Sequence, residues 1–213
     1  MELLHWFVDL VLNLDEHLLE MVRDHGVWIY AILFAIIFAE TGFVVTPFLP
    51  GDSLLFVAGT IAAVGGMHVH LLVVTLILAA FLGNMVNYAI GRWLGRHFFT
   101  DRGSRWLNPK HLEAAHGFYD RHGGKAVVIS RFLPIVRTYV PFVAGMAAMP
   151  PGRFTAFNLG GAVLWIASLC YAGYLFGNIP WIKNNLTWII VGIIVVSLLP
   201  LVVAWVRSRS RAA

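Results

Sequence analysis

Hydrophobic residues run in six long stretches, at 27–45, 46–66, 69–95, 125–149, 154–177 and 184–206, with the polar residues gathered between them. A helix needs about 20 mainly apolar residues to cross a bilayer, so length alone predicts six crossings. Ahead of them, Leu3, Phe7, Leu10, Leu14, Leu18 and Met21 recur at steps of three and four. Asp9, Asn13, Glu16 and Glu20 fall on the other side, which predicts an amphipathic helix over 1–24. Such a helix lies on the membrane surface or packs against the rest of the protein. Its acids, and the lack of a basic start, argue against a secretory signal.

Two of the stretches are interrupted. Residues 46–66 hold Pro47, Pro50, Gly51 and Asp52, and residues 125–149 hold Arg131, Pro134, Arg137 and Pro141. Proline removes a backbone donor and clashes with the preceding turn. A central Arg or Asp costs about 2.5–3.5 kcal/mol on insertion. Such segments are tolerated as hairpins that enter and leave by one face, enclosed by protein or a water-filled cavity. Positive charge supports this for the second. The connector 96–124 and the tail with Arg207, Arg209 and Arg211 are both basic and should both be cytoplasmic. Three stretches separate them, so one must turn back, and 125–149 is the candidate. Residues 66–69 and 178–183 then lie outside. The expected architecture is an all-α integral membrane protein. It has re-entrant helical hairpins at about 46–66 and 125–149, about four spanning helices and interfacial amphipathic helices.

Composition agrees. The 213 residues are 59% hydrophobic and 12% charged, with a mean hydropathy of +0.78. A soluble domain carries about twice that share of charge, so this chain cannot cover a water-facing surface. The net charge of +4 comes from arginines dispersed between apolar stretches, and no Asp or Glu follows Asp120. That is membrane asymmetry and not a nucleic-acid footprint. A single cysteine, Cys170, excludes a disulfide framework or a zinc ribbon. The nine histidines form no metal motif, and no nucleophile elbow, P-loop or zincin helix is present. No enzyme activity, metal or cofactor is expected. Trp28, Trp93, Trp181, Trp188 and Trp205 fall near stretch ends and read as interface anchors.

The interrupted stretches are copies of each other. Phe48-Leu-Pro50 is followed by Phe56-Val-Ala-Gly59, and Phe132-Leu-Pro134 by Phe142-Val-Ala-Gly145. Each copy precedes a helix ending in a glycine pair, Gly91 and Gly95 or Gly173 and Gly177, which lets backbones approach closely. With both hairpins re-entrant, an odd number of crossings separates the copies, and the halves 27–95 and 125–177 form an inverted repeat. Paired broken segments in inverted halves point to a transport site at the membrane midplane. A short helix at 108–121, capped by Asn108 with Pro109 behind it, links the halves. The chain reads as one membrane domain over 1–213, closed by the span 184–206.

Four ionisable residues sit in apolar surroundings: Glu40, Asp52, Arg131 and Arg137. Intramembrane charges mark function by default. Asp52 also suits the start of a helix arm, and the four charges can balance as a structural clamp. A buried ionic clamp is nevertheless a costly way to hold a fold that apolar residues could hold. On an unbroken helix Arg131 and Arg137 would diverge, but a turn at Pro134 lets them converge. The planar guanidinium fork matches phosphate oxygens. The constellation suits an anion site, Arg131 and Arg137, beside two protonatable groups, Glu40 and Asp52.

These residues carry a resemblance. Phe38-Ala-Glu-Thr-Gly42, Pro47-Phe-Leu-Pro-Gly-Asp-Ser-Leu-Leu55, Gly83-Asn-Met-Val-Asn-Tyr88 with Gly91-Arg92, and Ser130-Arg-Phe-Leu-Pro-Ile-Val-Arg137 with Pro141-Phe-Val-Ala-Gly145 are similar to motifs of the DedA family. These are bacterial inner-membrane proteins with a SNARE-associated or VTT-type domain. The resemblance covers nearly the whole chain. It implies two re-entrant hairpins in an inverted repeat and transport of phosphate-bearing lipids, such as undecaprenyl phosphate or phospholipids. It also implies links to envelope integrity and to protons through the proton motive force. The family's functional acids and arginines fall on Glu40, Asp52, Arg131 and Arg137. Relatives often carry Asp where this chain has Asn84, so Asn84 receives no proton-carrying role. A multi-pass inner-membrane location with a cytoplasmic C-terminus follows, and a homo-oligomer is compatible with it. The alternative is a non-transporting scaffold or assembly factor that needs the hairpins only to fold.

Overall fold

The computed structural model describes residues 24, 26–43, 51–99, 124–133, 136–177, 179–181 and 192. Every regular element among them is helical: α1 Trp28–Gly42, α2 Gly51–Ala63, α3 Val69–Phe99, α4 Lys125–Ser130, α5 Val136–Met146 and α6 Pro151–Phe176. The N-terminal helix expected over 1–24 and the span 184–206 lie outside the described residues, but for Asp24 and Gly192. The connector helix at 108–121 lies outside them as well.

Helix length sorts the stretches. Val69–Gly95 and Pro151–Phe176 are long and apolar enough to cross a membrane, matching the stretches 69–95 and 154–177. The interrupted stretches give only short helices. α2 has 13 residues, α4 has 6 and α5 has 11. At 1.5 Å per residue these rise about 20, 9 and 17 Å, against a hydrocarbon core of about 30 Å. α1 has 15 residues and is shorter than the predicted stretch 27–45.

The chain forms two compact units. The first comprises residues 1–35, 48–76 and 166–213. Its centre is α2, whose residues from Ser53 to Ala62 are all buried. Ile29, Leu33, Leu72, Leu76, Ile166 and Cys170 are buried in the same unit. Close approach to α6 makes the packing possible. A Cβ on Gly59 would collide with the carbonyl of Cys170, and one on Gly173 with the carbonyl of Phe56. Thr60 Oγ1 donates to the carbonyls of Phe56 (3.1 Å) and Gly173 (3.3 Å). α2 then stops where Gly66 N–H returns to the carbonyl of Ile61 (3.1 Å), with Gly65 at φ +88°. A left-handed residue there closes the helix end, and glycine adopts it without strain.

The second unit comprises residues 36–47 and 77–165. Tyr88, Val127, Val140, Ala144, Met149 and Phe154 form its apolar core, with the Tyr88 and Phe154 rings stacked at 4.2 Å. α4 and α5 pack against each other. A Cβ on Gly91 would collide with the carbonyl of Phe142, and one on Gly145 with the carbonyl of Tyr88. The Phe-Val-Ala-Gly copies therefore make the same contact, one in each unit. Each packs on the glycine pair that the sequence places after the other copy.

Candidate functional site: a buried arginine cluster

The second unit builds the cluster. α1 runs out at Gly42, which packs against the Cα of Gly83. A Cβ on Gly83 would lie 2.9 Å from the carbonyl of Phe38. Two glycines facing each other thus bring the end of α1 onto α3, so Glu40 and Thr41 arrive beside Asn84 and Asn87. Thr41 Oγ1 turns back to the carbonyl of Ile37 at 2.8 Å. Asn87 Nδ2 donates to the carbonyls of Thr41 (3.2 Å) and Thr138 (2.8 Å), which ties α1 to α5.

The break between α4 and α5 aims the arginines. The N–H groups of Arg131, Phe132 and Leu133 bond three residues back, to Val128, Ile129 and Ser130. This tighter winding ends α4. A proline follows Leu133 in the chain and disfavours helical geometry in the residue before it. The helical pattern resumes with Arg137 N–H on the carbonyl of Leu133 at 2.9 Å. The turn lets both guanidiniums reach Trp165, with their central carbons 5.9 Å (Arg131) and 5.0 Å (Arg137) from the ring centroid. Arg137 Nη2 donates to Glu40 Oε1. Arg131 Nη2 donates to Asn158 Oδ1 at 2.6 Å and to the carbonyl of Ala80 at 3.2 Å. The amide of Asn84 is read with Nδ2 toward the carbonyl of Thr41 (3.3 Å) and Oδ1 toward Arg131 Nη2 (2.9 Å). The reverse orientation lets Nδ2 donate to Asn158 Oδ1 (3.1 Å) but sets it against Arg131 Nη2, another donor.

Solvent is excluded: Glu40 is 0% exposed, Arg131 1% and Arg137 5%. Three of the four predicted residues therefore fall in one unit, and Glu40 and Arg137 are in contact. Asp52 belongs to the other unit, half-buried in the first turn of α2, where the helix dipole favours an acid. Sequence reasoning gave Asn84 no proton-carrying role and missed Asn87, Asn158 and Trp165 as parts of the site. Their signal was an amide or indole in the middle of an apolar stretch, where a polar group must find a partner. Among the described residues, no group of three His, Cys, Asp or Glu can hold a metal. Chemically, two buried guanidiniums meet at one indole, and Arg137 of the two is paired with the carboxylate of Glu40. The planar guanidinium fork suits an anion.

Comparison with known proteins gives a consistent set. The model of the VTT domain matches residues 49–175. The chain is 50% identical to Protein DedA of Escherichia coli K12, covering 100% of this chain and 98% of that one. It is 40% identical to the membrane protein ML0287 of Mycobacterium leprae, over 84% of this chain and 81% of the relative. Identity to the inner membrane protein YqjA of Escherichia coli K12 is 39%, over 71% and 69%. No solved structure matches the chain.

Proposed function

The chain belongs to the VTT-domain family that includes DedA, and on that premise we propose that it carries a phosphate-bearing lipid across a bacterial inner membrane. The observation that supports this reading best is the buried pair Arg131 and Arg137, gathered at one indole, with Arg137 bonded to the carboxylate of Glu40. A phosphate monoester, as in undecaprenyl phosphate, or a phospholipid headgroup offers the oxygens that a guanidinium fork takes in pairs. The lipid tail stays in the bilayer. Glu40 holds Arg137 while the site is empty. An arriving phosphate competes for that guanidinium, and the displaced carboxylate takes a proton, which couples transport to protons. Asp52, at the start of the other unit's buried helix, is the second proton carrier.

The short helices of the two proline-bearing stretches are re-entrant arms in this reading, and the copied Phe-Val-Ala-Gly segments are halves of an inverted repeat. The C-terminus is cytoplasmic.

Proteoliposomes loaded with labelled polyprenyl phosphate, and separately with labelled phospholipids, test this. Lysine keeps the charge of arginine and loses its fork. Arg131→Lys and Arg137→Lys should both fold and both transport more slowly, Arg131→Lys by about ten- to a hundredfold, the worth of a charged hydrogen bond. Wild-type transport by both would leave the arginines as counter-ions. Full transport after exchanging the charges, with Glu40→Arg and Arg137→Glu together, would leave the ion pair as merely structural, and no transport of any lipid by the wild type would favour the scaffold.

A further inference from the structure

The two arginines are held by different chemistry. Arg137 bonds to the carboxylate of Glu40. Arg131 bonds to neutral groups: Asn158 Oδ1 at 2.6 Å, the Asn84 amide oxygen at 2.9 Å and the carbonyl of Ala80 at 3.2 Å. Among the described residues no carboxylate pairs with it, and its Nε has no hydrogen-bond partner.

α6 supplies the seat. Asn158, Gly161 and Trp165 recur at three- and four-residue steps and so share one helix face. Asn158 is itself fixed, because its Nδ2 donates to the carbonyl of Phe81 at 3.0 Å. A Cβ at Gly161 would lie 3.0 Å from Arg131 Cδ and 3.2 Å from its Nε, so the glycine leaves the room the side chain occupies. Trp165 turns its ring toward the guanidinium. The ring quadrupole offsets part of the cost of a buried cation, and neutral amides leave its charge in place.

We propose that the arginines divide the work: Arg131, seated on the Asn158–Gly161–Trp165 face, is the standing receptor for the anionic headgroup, and Arg137 is the exchangeable one, passed between Glu40 and the ligand. This rests on the lipid-phosphate reading above. Asn158 is then a positioning residue that acts through Arg131, whereas Trp165, 5.9 Å from Arg131 and 5.0 Å from Arg137, supports both guanidiniums.

The test is equilibrium binding of farnesyl monophosphate to the detergent-purified full chain, with farnesol as the uncharged control. Arg131→Lys should weaken binding by about tenfold both in the wild type and in a Glu40→Gln background, since Glu40 does not hold it. Arg137→Lys should cost under about threefold in the wild type, where Glu40 occupies that guanidinium, and about tenfold in Glu40→Gln. Asn158→Ala keeps every charge and should weaken binding equally in both backgrounds, which decides the matter if Arg131→Lys fails to fold. Trp165→Phe, which retains a ring face, should hold most of the affinity that Trp165→Leu loses. Arg137→Lys acting equally in both backgrounds overturns the division of work, as does an Arg131→Lys or Asn158→Ala effect that changes with Glu40. Farnesol binding as tightly as the phosphate overturns the lipid-phosphate reading itself.

Discussion

Arg137 closes an ion pair with Glu40 across 97 residues of sequence, and both side chains are buried. A buried pair is costly to form and more costly to break, because the survivor keeps its desolvated charge. Glu40→Ala and Arg137→Ala should each lower stability by about 3–5 kcal/mol. The double variant should lose clearly less than the sum, since it leaves neither charge behind. Thermal unfolding of the four purified proteins in one detergent measures the coupling. Strictly additive losses would show that the contact contributes nothing to the fold.

The glycines divide sharply by what surrounds them. Gly91 and Gly173 face the carbonyls of Phe142 and Phe56, whereas Gly160 has open space where a Cβ would go. Gly91→Ala and Gly173→Ala should each cost about 2 kcal/mol or more, as overpacking forces backbones apart. Gly160→Ala lies within α6 and should stabilise by about 0.5–1 kcal/mol, the conformational penalty of a helical glycine. Melting temperatures of the three variants test the contrast. Equal effects at Gly91 and Gly160 would mean that close backbone approach does not hold α5 on α3.

What the sequence disclosed follows from cost. Proline and arginine inside apolar stretches are expensive, so α4, α5 and the cluster around Arg131 and Arg137 could be located from residue types alone. Glu40 was legible for the same reason. Asn158 and Trp165 were not, because an amide or an indole in a span is cheap enough to be ordinary, and only the fold shows which group it meets. The glycine contacts were half legible. Spacing showed that backbones would approach, but which helix faces Gly91 depends on long-range pairing. That Phe142 meets Gly91, and Phe56 meets Gly173, rests on tertiary packing that no local pattern encodes.

The two Phe-Val-Ala-Gly helices also end alike, and this makes the inverted repeat testable. α2 ends with Gly66 N–H on Ile61 and Gly65 at φ +88°, and α5 ends with Met149 N–H on Ala144 and Ala148 at φ +52°. Both ends are the same six-residue closing motif with a left-handed residue before its last donor. Inverted halves must place these matching ends on opposite sides of the membrane, with residue 66 outside and residue 148 facing the cytoplasm. Both positions are exposed, and the single native thiol, Cys170, is buried. In a Cys170→Ala background, Gly66→Cys should therefore react with an impermeant maleimide added to intact spheroplasts. Ala148→Cys should react only after the membrane is opened. Ala148→Cys adds little backbone strain, because the alanine already carries the positive φ. Labelling of both cysteines from outside would mean that the copies run parallel, and the midplane site built from inverted broken helices would have no basis.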